Sequence, residues 1–472
     1  MQLMDSFTPA PMLRPMYNIG CLLDIPTGRY YTGKHGESIL NGGLSYITGM
    51  GGRGNVFKSL IMFYMMMSIL DRYSKSTALV YDTEMSATLE RLYQIAASMD
   101  FIGGVDLGEE GRLLLTDKVV YSGNAFYEKL KEVLENRANQ SKEYIGTTPF
   151  VDKENKPVKT YFPFVVAIDS LSQFSTDSVA KVQAKADIGE SERNVEALRD
   201  AHAKNQLMME LPTVTAKYGC QVMMSAHMGD DLALDPYAPP QKKLAFLKNK
   251  VKFKNVPEKF TFLTNNCWFA MGIQVLTNQT TKGPQYPRDG EDIIKGDTDL
   301  QVVSIMSIRC KSGPTGLPFD IILSQNEGVK VGLTQYHYIN SFNGYGLGGN
   351  DRNYYLELLP DVNLSRTTIR SKIDNNEKVR RALEITADMC QIFNYYHDLP
   401  KELHITPKEL YEKVKAKGYD WDVLLQHTRS YWVFEEEETT NPKKFLSTMD
   451  LLKVCADQYK IYWYNDFISK GT

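Results

Sequence analysis

The sequence predicts an α/β protein, a mainly parallel sheet flanked by helices, followed by a mostly helical C-terminal region. Three observations carry this. Short, nearly wholly apolar runs recur at Leu44–Thr48, Ala78–Tyr81, Phe164–Ile168, Gln221–Ser225, Phe269–Leu276, Leu300–Ile308 and Phe319–Leu323, as expected of strands covered on both faces. Helical spacing follows the early runs, at Ser59–Tyr73, Ala87–Met99, Asn124–Arg137 and Glu190–Tyr218, and such alternation marks a parallel sheet with crossover helices. Glycine fills four of the six positions Gly344–Gly349, which predicts a boundary. The divisions are therefore an arm over 1–40, an α/β core over 41–345 and a helical region over 346–472.

Composition bounds the rest. With 472 residues, 43% hydrophobic and 24% charged, the chain can bury a sizeable core. A net charge of −3 confines any nucleic-acid surface to a local patch. The six cysteines (Cys21, Cys220, Cys267, Cys310, Cys390 and Cys455) include no CxxC pair, so a reducing cytoplasm is expected. The start, Met1–Asp5, lacks the pattern of a signal peptide. The apolar run Leu60–Leu70 is too short to span a bilayer and predicts a buried helix. Residues 145–162 predict a surface hairpin or insertion, and Glu435–Glu438 a solvated loop.

The chemistry concentrates after the first core strand. There the chain reads Gly49-Met50-Gly51-Gly52-Arg53-Gly54-Asn55-Val56-Phe57-Lys58-Ser59 and enters a helix. A strand, a glycine-rich turn, Lys-Ser and a helix suit a nucleotide: backbone N–H groups from Gly52 to Ser59 receive phosphates, Lys58 reaches the β/γ oxygens and Ser59 holds Mg²⁺. Phe57 stands where the usual pattern has glycine. The plainer alternative is a glycine-rich turn that happens to precede Lys-Ser. Three further strand ends weigh against it. Tyr81-Asp82-Thr83-Glu84 offers Glu84 as a general base for water. Val165-Val166-Ala167-Ile168-Asp169 offers Asp169 as a carboxylate for Mg²⁺. Val222-Met223-Met224-Ser225-Ala226-His227 offers His227 as a γ-phosphate sensor.

In this order the motifs resemble the RecA superfamily, and within it the bacteriophage UvsX-like recombinases. Phe-Lys-Ser, Tyr-Asp-Thr-Glu and the sensor histidine carry the likeness, with Asp24–Gly28 and Leu40–Gly43 before them; it covers roughly residues 20–345. It implies a RecA-like P-loop ATPase core, ATP and Mg²⁺ as ligands, and catalytic roles for Lys58, Glu84 and His227. Arg91 takes the adenine-facing position that this likeness gives to an aromatic residue. A second likeness runs to DnaB-type helicases, through Glu84-Met85-Ser86 and Arg309-Cys310-Lys311-Ser312-Gly313-Pro314-Thr315-Gly316. It implies that Arg309 and Lys311 stabilise charge on the ATP of an adjacent subunit.

Two segments beyond the ATP-site strands suit polynucleotide. Ser172–Lys204 is polar. Leu232–Asn266 holds Lys242, Lys243, Lys248, Lys250, Lys252, Lys254 and Lys259, with Phe246, Phe253, Phe260 and Phe262 interleaved. Lysines neutralise phosphates and rings stack on bases; a basic hairpin packed on its own phenylalanines is the alternative. Arg366, Arg370, Lys372, Arg380 and Arg381 offer a second face for duplex DNA, or a solvated helix surface. Phe7-Thr8-Pro9-Ala10 fits the Phe-x-x-Ala pattern with which eukaryotic recombinases dock subunits. The expectation is an ATP-dependent recombinase that assembles on single-stranded DNA, repairs by strand exchange, and meets single-strand-binding and loader proteins in the cytoplasm (of a host, if phage-encoded). A DnaB-like hexameric replicative helicase is the alternative, disfavoured because the additional domain follows the motor.

Overall fold

The computed structural model describes residues 11, 13–175, 192–229, 252–288, 295–350 and 352–469. Strands β1 (Arg29–Thr32) and β2 (Ser38–Asn41) form a hairpin. The α/β part then runs β3 (Ile47–Gly52), α1 (Lys58–Arg72), β4 (Thr77–Asp82), α2 (Leu89–Ala96), β5 (Leu113–Asp117), α3 (Gly123–Asn139) and α4 (Ser141–Tyr144). A hairpin of β6 (Ile145–Val151) and β7 (Pro157–Tyr161) precedes β8 (Phe164–Asp169), α5 (Glu192–Tyr218), β9 (Cys220–Gly229) and β10 (Lys252–Phe253). Next come α6 (Lys259–Leu263), β11 (Asn266–Val275), β12 (Leu300–Cys310), β13 (Pro318–Ser324), β14 (Gly328–Val329) and α7 (Val331–Ser341).

Nine of these strands form one sheet in the order β14-β13-β12-β11-β3-β9-β8-β4-β5, with β10 added to β9. From β11 to β5 every pairing is parallel; β12, β13 and β14 continue antiparallel. The mixed α/β architecture is thus as the sequence predicts. Helix α1 is apolar around its whole circumference from Leu60 to Leu70 and is buried, which is how a helix between a sheet and a second layer reads. The first strand starts later than its apolar run suggests: Leu44 is held outside β3 by an antiparallel bridge to Tyr17. Strand β5, on the sheet edge, is absent from the sequence reading because its Leu-Leu-Leu-Thr run is so short.

Beyond Gly344 the chain forms a small sheet of β15 (Leu347–Asn350), β16 (Asn353–Leu356) and β17 (Leu359–Leu364). Helices follow: α8 (Ile369–Asn375), α9 (Glu377–Tyr395), α10 (Pro407–Ala416), α11 (Trp421–His427), α12 (Glu435–Glu438), α13 (Thr448–Cys455) and α14 (Tyr464–Ser469). One apolar cluster runs from Leu13 and Tyr17 through α1 to Leu383, Trp432 and Leu452, so residues 13–40 are packed against both larger parts. Phe7–Ala10 lies outside the described residues.

Two sequence expectations change here. Glu435–Glu438 is a set of anchors and not a solvated loop: Glu437 accepts from Ser74 Oγ (2.7 Å) and Lys75 N (3.0 Å), and Glu436 from Thr147 N (3.0 Å). Three of the five cations offered to duplex DNA, Arg366, Arg370 and Arg381, are engaged inside the protein, while Arg380 lies at the surface beside Asp100. Arg370 and Arg381 are buried and paired with Glu327 and Glu384, and Arg366 donates to the carbonyls of Pro284 and Gln285.

The seam between arm, α1 and C-terminal region is ionic and enclosed. Asp24 accepts from Ile19 N and Gly20 N at 2.7 and 2.8 Å and lies 3.6 Å from Arg72. Nearby, Asp388 accepts from Thr448 Oγ1 at 2.8 Å, and Asp450 from Ser38 N at 2.6 Å. Burial pushes Asp24 and Asp450 up to about 6, and burial with the neighbouring Glu384 pushes Asp388 up as well. A raised carboxylate stabilises the fold below its unfolded value, near about 4, and loses that contribution as pH rises through its folded value. The stabilising contribution of these three acids is therefore expected to fall from about pH 4 past pH 6. Asp388→Asn mimics the protonated acid, so it should raise the calorimetric midpoint at pH 8 by about 2 °C and change it less at pH 5. Parallel curves for the two proteins would be the contrary result.

Candidate active site

The predicted site residues meet at the C-terminal ends of adjacent parallel strands. Register places Gly52 beside His227, Met50 beside Ser225, and Asp82 beside Asp169. In open α/β sheets this edge is where ligands bind.

The turn from Arg53 to Phe57 leads from β3 into α1. Asn55 and Phe57 are left-handed, with φ of 57° and 56°. Phe57 thus adopts the conformation that explains glycine's usual place before the lysine, at a cost of about 1–2 kcal/mol; its ring packs against the main core. The N–H groups from Gly54 to Ser59 donate to no acceptor among the described residues. Unpaired donors at a helix N-terminus form a seat for an anion. Lys58 is 5% exposed and its Nζ folds back onto the Arg53 carbonyl at 2.5 Å. Burial pulls its pKa down, opposed by the charges of Asp169 and Glu84.

Asp169 ends β8, buried, with Ser225 Oγ donating to its Oδ1. Its Oδ2 is buried and has no hydrogen-bond partner among the described residues. Burial pushes its pKa up, opposed by the Ser225 and Ser59 hydroxyls beside it. An enclosed carboxylate with a free oxygen beside a serine hydroxyl is a fitting pair of donors for a hard cation that fills its other positions with water and phosphate. Three-residue clusters of His, Cys, Asp or Glu suited to a metal are absent among the described residues.

Glu84 closes the site. Its Oε1 accepts from Ser170 Oγ at 2.6 Å and meets His227 Nε2 at 2.5 Å. The bond to His227, with that to Ser170, outweighs burial and holds the carboxyl down at about 2. Sequence reasoning passed over the residue that places it. Buried Asp82 accepts from the N–H groups of Glu84, Met85, Ser86 and Ala87 at 2.8, 2.9, 2.6 and 2.6 Å. The signal was present, since an aspartate at a strand end before Thr-Glu-Met-Ser is a turn former through its side chain. Thr83 and Ser172 also escaped notice: Thr83 Oγ1 accepts from Ser170 N at 2.7 Å, and Ser172 Oγ from His227 N at 2.9 Å.

Other candidates are distributed differently. Arg91, on the first turn of α2, donates to Gln94 at 3.0 Å. Lys254 joins the site: β10 returns antiparallel onto β9, and Lys254 lines a cavity of about 590 Å³ with Glu84, His227 and Lys118. Lys242, Lys243, Lys248 and Lys250 lie outside the described residues, as does Phe246, and Lys252 is described by its place in β10. Phe253 and Phe260 are core residues at 7% and 0% exposure, packed on β3, so they are not available for stacking on bases; Phe262 is exposed. Arg309 and Lys311 stand away from this site. Arg309 is in register with Cys267, which is in register with Gly49, and Lys311 N donates to Asn265 O.

No protein-family model matches the chain, and no curated protein matches it. Among the described residues no helix is long and apolar enough to cross a membrane.

Proposed function

We propose that the chain is a RecA-like P-loop ATPase that works as an assembly of copies on single-stranded DNA, as a strand-exchange recombinase. The observation that carries the nucleotide reading is the convergence on one sheet edge of unpaired N–H groups, Lys58, the free oxygen of Asp169, and Glu84. ATP phosphates take the N–H groups of Gly54–Ser59 and draw Lys58 Nζ off the Arg53 carbonyl. Ser59 and Asp169 would hold Mg²⁺, which would supply neutralising charge to the phosphates. Glu84 orients the attacking water and takes its proton, which requires that His227 first release it; His227 is then free to meet the γ-phosphate. Asp82 acts as a positioning residue.

Asp82→Ala is expected to lower kcat by about tenfold or more, because each charged hydrogen bond lost from the Glu84 turn is worth about 1.5–3 kcal/mol. Nucleotide affinity should change little, since Asp82 touches no phosphate donor; an equal loss of affinity would mean general collapse of the edge.

Lys254 supports the DNA reading, as the described end of a lysine-rich segment that lines the same cavity as Glu84. Replacing Lys250, Lys252 and Lys254 with Ala should weaken single-stranded DNA binding and reduce the slope of log affinity against log salt by up to about 2. An unchanged slope would remove this segment from the DNA surface. Negative-stain images with single-stranded DNA and a non-hydrolysable ATP analogue test the assembly: helical filaments are expected, and closed six-membered rings would replace the recombinase by a DnaB-like helicase.

A further inference from the structure

At the opposite end of the sheet from the glycine-rich turn, four cations gather around the turn that ends β12: Arg14, Arg29, Arg309 and Lys311. None forms an ion pair among the described residues, and Arg309 Nε is buried without any hydrogen-bond partner. Arg29 has a local task, with its Nε donating to Ser312 O at 3.2 Å and so bracing the turn. The Arg14 side chain has no such task among the described residues. Its carbonyl accepts from Asn41 Nδ2 at 3.2 Å, Met16 N donates to Asn41 Oδ1 at 2.6 Å, and Tyr17 and Leu44 exchange backbone bonds of 3.0 and 2.7 Å. These contacts fix the arm beside the start of β3. Lys311 is fixed at the same place, since Asn265 accepts from Lys311 N through its carbonyl at 3.0 Å and from Ile47 N through Oδ1 at 3.1 Å. Arg14 remains exposed. Burial, then the charges of Arg309 and Arg14, pull the Lys311 ammonium below its ordinary value.

Like charges held together without a counter-charge cost free energy that an arriving anion returns. We infer that Arg14 is a third cation, with Arg309 and Lys311, of a half-site for the triphosphate seated on the glycine-rich turn of a second copy of this chain. The inference rests on the nucleotide reading above. Two features select this occupant over a polynucleotide. The cluster is compact, suiting a triphosphate, whereas a nucleic-acid strand spreads one charge about every 3.4 Å and calls for a stripe. The cations and the glycine-rich turn also lie at opposite ends of one sheet, the arrangement by which a head-to-tail contact joins them.

The test is Arg14→Ala in the full chain. A fluorescent ATP analogue should bind dilute protein with unchanged affinity, because the variant's own glycine-rich turn is intact. On single-stranded DNA, kcat should fall at least about tenfold, and Arg14→Lys should keep most of it. Mixed equally with Lys58→Ala, the Arg14→Ala protein should regain activity at about one site in four. Wild-type turnover by Arg14→Ala overturns the inference, as does a silent mixture whose subunits co-purify. Weakened DNA affinity with full turnover at saturating DNA would also overturn it, by assigning the cluster to the polynucleotide. Wild-type hydrolysis by Lys58→Ala would instead overturn the nucleotide reading, and this inference with it.

Discussion

Glu84→Gln is expected to bind ATP as the wild type does and to hydrolyse it at least about a hundredfold more slowly. The amide is nearly isosteric with the carboxylate, and its oxygen can still accept from Ser170 Oγ, the 2.6 Å contact that Glu84 makes. The four N–H groups bound by Asp82 keep the turn in place. What is lost is the ability to accept a proton from water. Lys58→Ala is the opposite case: the ammonium that closes the phosphate seat goes, so affinity should fall together with turnover. Phosphate release and equilibrium binding of a labelled nucleotide separate the two variants. Wild-type turnover by Glu84→Gln would remove Glu84 from the chemistry.

The second large effect concerns division of the site between copies. Lys311 lies level with Ile47, five residues before Gly52 along the strand direction. At about 3.3 Å per residue that is roughly 16 Å for Lys311, and roughly 10 Å for Arg309, which is level with Gly49; two strand spacings across the sheet add to both, so the two side chains stand well away from their own glycine-rich turn. An Arg309→Ala/Lys311→Ala protein and a Lys58→Ala protein should therefore each be nearly inactive as DNA-dependent ATPases. Mixed equally before assembly, they should recover about one site in four, because an intact pocket must meet an intact neighbour. Pull-down between differently tagged variants verifies co-assembly. A mixture that co-assembles but stays inactive would show that Arg309 and Lys311 take no part across an interface.

What could be read from the sequence follows burial and local order. The strand bearing Asp169 announces itself because a central parallel strand is apolar throughout and Asp169 is the first polar residue after the run; the strands bearing Gly52 and His227 carry Thr48 and Ser225 within them and are marked instead by the glycine-rich turn and the apolar residues Val222–Met224. Edge strand β5 and the three strands after Gly346 are short and half-exposed, so their pattern is weak. The lysine-rich segment misled in part, because Phe253 and Phe260 look like stacking residues until the fold buries them against β3. Asp82 was masked by Glu84 two residues on. Which carboxylate faces the ligand and which one ties the turn depends on backbone N–H directions that residue order alone does not record. Arg370 pairs with Glu327 and Asp299, and Glu437 accepts from Ser74 and Lys75, partners tens to hundreds of positions away that no local spacing predicts, whereas Arg381 meets Glu384 one turn along its own helix.

The glycines of β3 do more than clear room for a ligand. A Cβ on Gly51 would lie 2.1 Å from the Phe253 ring, and one on Gly49 would lie 2.7 Å from that of Phe260. Both rings belong to the stretch that rejoins the sheet between β9 and β11. The floor of the glycine-rich turn and the root of the lysine-rich segment are therefore one interlocked surface, close-packed and hard to compress. If nucleotide takes the turn and polynucleotide the lysine-rich segment, as proposed, a shift of either would register in the other, and the coupling would be reciprocal: occupancy at one end would alter affinity at the other. Gly51→Ala would force the Phe253 ring aside, and the displacement would pass directly to its neighbour Lys254.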